Sequence, residues 1–183
     1  MLNKYTKALL FADIAWFFGE GMLGPLFAVF TERVGGDILN ITTAWAAYLI
    51  VTGSLVIIIG NISDKKIDKK KLLIAGYVLN AILTFAYLLV DSPFKLLLVQ
   101  VGLGVAAALA TPTWDALYSE YQDKKKGGMT WGLADGGSEL FTGIAILIGG
   151  LIVVYASFTT LFLLMGAVQV ISIFFLLPLM KKE

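Results

Sequence analysis

The chain has 183 residues, 58% of them hydrophobic and 15% charged, with a mean hydropathy of +0.86 and a formal net charge of +1. This composition is too apolar for a water-soluble domain of that length, so we interpret the chain as an integral membrane protein. It contains no cysteine and no histidine, which excludes disulfides, zinc sites built on those residues and imidazole proton relays, and leaves proton chemistry to carboxylates, lysines or tyrosines.

Six apolar stretches are long enough to cross a bilayer as helices, since about 20 apolar residues span its hydrocarbon core. In chain order they are residues 8–30, 41–62, 71–90, 93–118, 129–154 and 157–180. The loops between them are too short for a catalytic or nucleic-acid-binding module. We therefore predict a single six-helix domain over residues 1–183, with no enzyme activity, no cofactor, no metal and no nucleic-acid partner. The first stretch is too long and too acidic for a secretory signal.

The first helix contains the sequence FFGEGMLGP, residues 17–25, where one carboxylate lies between glycines and ahead of a proline. Pro25 has no N–H to donate to the carbonyl of Gly21, and Gly24 weakens the helix further, so we predict a discontinuity there. By the same argument, Pro112 predicts a discontinuity in the fourth helix.

Basic residues gather at one end of the predicted helices. Twelve of the fourteen lie at the two termini or in the loops after the second and fourth helices, and only Arg33 and Lys95 lie in loops at the opposite end. Because lysines and arginines in short loops stay in the cytoplasm, we predict a multi-pass plasma-membrane protein with both termini cytoplasmic.

The loop between the second and third helices reads GNISDKKIDKKK, residues 60–71. Its spacing of glycine, aspartate and lysines resembles the signature loop of the major facilitator superfamily, which helps to latch one conformational state in that family. The matching residues are Gly60, Asp64, Lys65, Lys69 and Lys70. Ile67 replaces the second glycine of the family pattern. The exit of the fourth helix, ATPTWDALYSEYQDKKKGG, and the pair Gly149 and Gly150 are similar to the family's helices four and five.

This resemblance implies one half of a transporter. Members of the superfamily usually have twelve spans in two six-helix halves, with the substrate between the halves. The implied fold class is all-α integral membrane, with six transmembrane helices arranged as two inverted three-helix repeats. A polar face cannot be left in lipid, so a half needs a partner, and the simplest partner is a second copy in a parallel homodimer. A heterodimer with another half, a fragment of a longer chain and a non-transporting scaffold remain alternatives.

Five carboxylates fall inside the predicted spans, whereas no lysine or arginine lies deeper than the membrane interfaces. They are Asp13, Glu20, Asp115, Asp135 and Glu139. Asp13 and Glu20 share one helix face, as do Asp135 and Glu139, because their spacings match whole helical turns. Glu20 and Glu139 lie near the bilayer midplane, where a carboxylate costs about 2.5–3.5 kcal/mol on the insertion scale. Such a cost favours a functional role, and the alternative is a protonated or water-solvated acid that only hydrogen-bonds between helices.

A cluster of acids in a membrane attracts cations and exchanges protons, and the two compete for the same groups. We therefore predict proton-coupled export of a cationic or lipophilic small molecule by alternating access, with the five acids as the substrate or coupling-ion site. Aromatic and amide side chains could line the path, by stacking on a cation or by hydrogen bonding, and helix packing is the alternative role for each of them. These candidates are Trp16, Phe17, Asn80, Trp131 and Gln169.

Overall fold

The computed structural model describes residues 2–63 and 68–180, and all regular structure in those ranges is helical. The helices are α1 (Lys4–Gly21), α2 (Leu26–Arg33), α3 (Ile38–Ser63), α4 (Lys69–Ala86), α5 (Pro93–Tyr121), α6 (Gly127–Tyr155) and α7 (Phe158–Met180). Short 3₁₀ turns, Tyr87–Leu89 and Lys124–Lys126, follow α4 and precede α6.

Five helices, α3 to α7, are each long and apolar enough to cross a membrane, and α1 with α2 makes a sixth span bent by 47°. These helices coincide with the apolar stretches of the sequence, with boundaries shifted by about a turn at most. For example, α1 begins at Lys4 rather than at residue 8, because the Asn3 side chain accepts a hydrogen bond from the N–H of Thr6 at 2.8 Å and caps the helix.

The bend between α1 and α2 occupies residues 22–25, within the glycine- and proline-containing segment. The Glu20 carbonyl accepts hydrogen bonds from the N–H groups of both Leu23 and Gly24, at 3.2 and 3.4 Å. No described backbone bond at the bend ends on the carbonyl of Gly21, because Pro25 has no N–H to donate. Gly24 has a φ of +25°, a conformation that a side chain would strain.

Pro112 does not interrupt its helix, so the predicted discontinuity at that residue is wrong. The helix α5 continues from Pro93 to Tyr121 with Pro112 inside it. A proline removes only one helical hydrogen bond, and no glycine stands beside this one to loosen the backbone. The Thr113 hydroxyl also donates to the carbonyl of Leu109 at 2.7 Å, which ties this turn to the preceding one.

The helices pack in a fixed set of pairs. The first span packs through α1 on α6 and α7, α5 packs on α3 and α4, and α4 packs on α7. Two apolar clusters fill the bundle. One lies toward the end that carries most of the lysines, called the lysine-rich end below, and includes Leu9, Leu73 and Leu176. The other lies toward the opposite end and includes Phe30 and Phe162.

The helix α6 packs tightly against the first span at the bend. Gly149 packs against the carbonyl group of Met22, and a Cβ atom built on Gly149 would overlap that backbone. A Cβ atom on the neighbouring Gly150 meets no described atom within 4 Å. Of the two adjacent glycines, only Gly149 is required by the contact.

Gly149→Ala should therefore destabilise the protein by about 1–3 kcal/mol, because the new methyl group displaces backbone that cannot rotate away. Gly150→Ala is the matched control and should leave stability unchanged or raise it slightly, since alanine favours a helix. Unfolding of the purified protein in detergent would measure both. Equal stability of the two variants would contradict the packing of α6 on the bend.

Candidate functional site

A cavity of about 510 Å³, called the inner cavity below, lies among α1, α3, α4, α5 and α6. Most of its lining comes from the helix halves that adjoin the lysine-rich end. It brings together all five carboxylates that the sequence places in the spans. The acids on its wall are Asp13, Glu20, Asp115, Asp135 and Glu139. No described lysine or arginine lines the cavity.

The five acids differ in their surroundings. Asp13 is half-buried, and its carboxylate accepts a hydrogen bond from the Ser138 hydroxyl at 2.7 Å, which joins α1 to α6. Glu20 is half-buried one residue before the end of α1. The other three, Asp115, Asp135 and Glu139, are exposed on α5 and α6. The cavity is thus closed around the acids of α1 and open along α6.

Aromatic side chains position α5 against its neighbours at the wall of the cavity. The Trp114 indole N–H donates to the carbonyl of Leu9 at 3.1 Å, and the Tyr118 hydroxyl donates to the carbonyl of Thr130 at 2.8 Å. Trp114 and Tyr118 stack with ring centroids 4.5 Å apart, and Trp131 meets Tyr118 edge-on at 5.2 Å. These contacts hold Asp115 of α5 opposite α1 and α6.

Three of the five predicted lining residues lie on this cavity: Trp16, Phe17 and Trp131. Trp16 packs edge-on against Tyr77 of α4, with 4.6 Å between ring centroids, whereas 41% of Phe17 is exposed. Sequence reasoning did not select Tyr77, Trp114 or Ser138. Ser138 lies on the same helix face as Asp135, a signal that could have identified it.

Asn80 and Gln169 are not among the residues that line the inner cavity, and their role as substrate-lining residues stays a prediction. Both are fully buried, because the faces of α4 and α7 that carry them turn toward other helices. The Gln169 amide donates to the carbonyl of Trp16 at 3.0 Å and packs on Gly19, which joins α7 to α1. The Asn80 side chain has no hydrogen-bond partner in the described part of the chain.

A second, smaller pocket of about 100 Å³, called the outer pocket below, lies on the far side of Glu20 from the lysine-rich end. Its walls include Leu23 and Gly24 of the bend, and its polar groups include Gln100, whose amide donates to the Tyr87 hydroxyl at 2.9 Å. Glu20 and Tyr48 are the two described residues that line both pockets. Glu20 therefore lies at the boundary between them.

The structure describes only part of the motif in residues 60–71, the loop that resembles the family's signature loop. Gly60 lies near the end of α3, and a Cβ atom there would be 4.0 Å from Pro112. Lys69 and Lys70 form the start of α4, where the Asp68 side chain accepts a hydrogen bond from the N–H of Lys70. The motif residues Asp64 and Lys65 lie outside the described residues. Within residues 2–63 and 68–180, no group of three or more acids is arranged to hold a metal ion.

A bundle of up to six hydrophobic spans around an acidic cavity defines a polytopic membrane protein built as a transporter. The family model described as Major Facilitator Superfamily matches residues 9–183, and the chain belongs to that family. Its members are membrane transporters of small molecules rather than enzymes, and a length of 183 residues fits a half-length member. No curated protein matches the chain.

The hydrogen bond between Asp13 and Ser138 predicts a measurable coupling between α1 and α6. In a double-mutant cycle with Asp13→Ala and Ser138→Ala, we expect a coupling free energy of about 0.5–1.5 kcal/mol in unfolding experiments, because alanine at position 13 cannot accept the hydrogen bond. Asp115→Ala combined with Ser138→Ala is the matched control and should be additive, since no described hydrogen bond joins those two side chains. Additivity in both cycles would contradict the contact.

Proposed function

We propose that this protein is a proton-coupled exporter of cationic or lipophilic small molecules, which works as a parallel homodimer by alternating access. The observation that carries the proposal is the shared cavity, where five carboxylates meet six aromatic side chains without a lysine or arginine among the described lining residues. Its volume of about 510 Å³ suits a drug-sized molecule. An acidic wall favours a positive charge, and aromatic faces attract organic cations.

Proton coupling is supported by the position of Glu20. A carboxyl group at mid-membrane is less costly when it is protonated or paired with a cation than when it is a bare anion. A proton and a cationic substrate therefore compete for Glu20. Because this side chain borders both pockets, it can take up or release a proton or a cation through either pocket as the protein changes between two states.

The spacing of the helices supports an arrangement of two inverted three-helix repeats. The helices α5, α6 and α7 begin at residues 93, 127 and 158, each 89 residues after its counterpart among α1, α3 and α4, which begin at 4, 38 and 69. The helix pairs that pack together show the same correspondence. The first helix of each repeat packs on the second and third helices of the other repeat: α1 packs on α6 and α7, and α5 packs on α3 and α4. In transporters built this way, the binding site lies near the midplane between the repeats.

The homodimer is supported by the two helices that the chain leaves least buried. Only 6% and 17% of the most apolar stretches of α3 and α6 are buried, against 39–50% for α4, α5 and α7. The helix α6 also exposes acids, which are costly to leave in lipid. Five of its glycines, on a face beside Asp135 and Glu139, would meet no described atom within 4 Å if they carried a Cβ atom, and they leave room for another helix. These are Gly128, Gly132, Gly136, Gly143 and Gly150.

A two-fold axis would place α3 of one copy on α6 of its partner and close both inner cavities at a single interface. We propose that the lysine-rich end is cytoplasmic, as the positive-inside rule requires, and that the membrane is the plasma membrane. The inner cavity would then load from the cytoplasm, which is the direction expected of an exporter.

Transport can be tested with the full chain in liposomes that carry a pH gradient, using tetraphenylphosphonium as a lipophilic cation. We expect cation-dependent proton flux in the wild type and a loss of at least about tenfold in Glu20→Gln, which can no longer exchange a proton. Glu32→Gln is the matched control, because Glu32 is exposed on α2 and lines neither pocket. Full flux in Glu20→Gln would overturn the coupling role.

The dimer can be tested by disulfide cross-linking in native membranes, since the chain has no cysteine of its own. Two differently tagged copies, one with Leu49→Cys on α3 and one with Gly143→Cys on α6, should form a mixed cross-linked dimer. Pairing Leu49→Cys with Ile171→Cys, which is exposed on α7, should give little product. Monomers alone in the first experiment would contradict the homodimer, and a cross-link to a different chain would favour a hetero-oligomer.

A further inference from the structure

The outer pocket has a chemical character of its own. Three aromatic side chains form a connected wall, with ring centroids of Phe27 and Trp45 at 5.8 Å and of Trp45 and Tyr48 at 6.0 Å. A single carboxylate, Glu20, lies on the side that faces the inner cavity. Aromatic faces carry negative charge density, so three rings with one carboxylate form a cage that suits an organic ammonium ion.

The bend adds a third source of negative potential to the same place. The helix α1 ends at Gly21, and its carboxyl-terminal end carries the negative pole of the helix dipole. The Gly21 carbonyl receives no described backbone hydrogen bond, and Gly24 of the bend lines the pocket. The end of α1 therefore lies beside a pocket whose wall holds a side-chain carboxylate and aromatic rings. Broken helices hold cations in this manner in other transporters.

The volume of the outer pocket and the chemical groups on its wall limit the kind of ligand that it can hold. A volume of about 100 Å³ lies well below the roughly 300–1,000 Å³ of sites for drug-sized ligands, so the pocket admits a small group only. A metal cation is held best by several carboxylate or carbonyl oxygens, whereas the lining offers a single carboxylate, with the neutral side-chain oxygens of Tyr48, Thr84, Tyr87 and Gln100 beside it. The chemistry fits a methylated or primary ammonium group.

We propose that the outer pocket is a binding site for a small organic ammonium ion, held by the Glu20 carboxylate inside the cage of Phe27, Trp45 and Tyr48. This deepens the proposed function, on which it rests for the idea that the site serves transport. It assigns a small ammonium head group to one side of Glu20, while the larger inner cavity receives the bulkier, apolar part of a substrate or a second molecule.

The test is a titration of the full chain in lipid nanodiscs with tetramethylammonium chloride by calorimetry, at constant ionic strength. We expect binding to weaken at least about fivefold in Trp45→Leu, which removes a ring, and to be lost in Glu20→Gln. Trp45→Phe keeps a ring in place and should bind within about threefold of the wild type. This conservative variant separates the ring from any effect of Trp45→Leu on folding, which should be small because half of Trp45 is exposed.

Two controls complete the design. Phe174→Leu removes an exposed ring on α7 that does not line the outer pocket, and this variant should bind as the wild type does. Sodium chloride in place of tetramethylammonium should give no saturable heat. Equal tetramethylammonium binding in Trp45→Leu and the wild type would overturn the proposal, and so would sodium binding of the same strength.

The outcome is distinguishable from a failure of the proposed function. If tetraphenylphosphonium drives proton flux but tetramethylammonium binding is insensitive to Trp45→Leu, the ammonium site is wrong and the exporter stands. If tetramethylammonium binding depends on Trp45 and Glu20 but no cation drives flux, the ammonium site stands and the exporter is wrong.

Discussion

The bend between α1 and α2 can exist within a bilayer only because α6 covers it. Lipid offers no hydrogen bonds to irregular backbone, so such a segment must be buried in protein or line a polar cavity. The helix α6 meets this requirement with small side chains: Thr142 packs on Gly21, and Gly149 packs on Met22. Once α6 is held there, its preceding turns run beside α1, which places Asp135 and Glu139 on the same cavity as Asp13 and Glu20.

The packing of α6 on the bend also explains why one face of α6 remains uncovered in the single chain. The helix α1 is enclosed, and its Asp13 receives a hydrogen bond from Ser138. The helix α6 is enclosed on one side only, and its acids stand beside open glycines on a face that lipid could not solvate. A partner copy would cover this face and convert an open groove into a closed binding site. The homodimer and the acidic site are therefore linked proposals.

Hydropathy predicted the helices well, because a bilayer demands about 20 apolar residues and that demand is local in sequence. The bend at Gly24 and Pro25 was also readable, since proline and glycine act on their own backbone. The continuity of α5 at Pro112 could not be predicted in this way, because whether a proline breaks a helix depends on the residues around it. The faces of α4 and α7 that carry Asn80 and Gln169 depend on which helices pack together, which no local pattern records.

The acidic residues show the same limit of prediction from local sequence. Spacing placed Asp13 with Glu20, and Asp135 with Glu139, on common helix faces. It could not show that the two faces meet across one cavity, nor that Asp115 joins them, because that follows from the packing of α1, α5 and α6. The outer pocket could not be predicted for the same reason, since its cage of rings is assembled from the first span and α3.

If the proposed transport site is correct, the five acids line a water-filled cavity that opens to the lysine-rich side of the membrane. A single cysteine at Thr111, which lines the inner cavity, can be treated with a membrane-impermeant maleimide in sealed vesicles of either orientation. We expect labelling from the lysine-rich side, with no labelling of a cysteine at Leu164, an exposed apolar position on α7. Absence of labelling at Thr111 from that side, in protein that is otherwise folded, would contradict the proposed site.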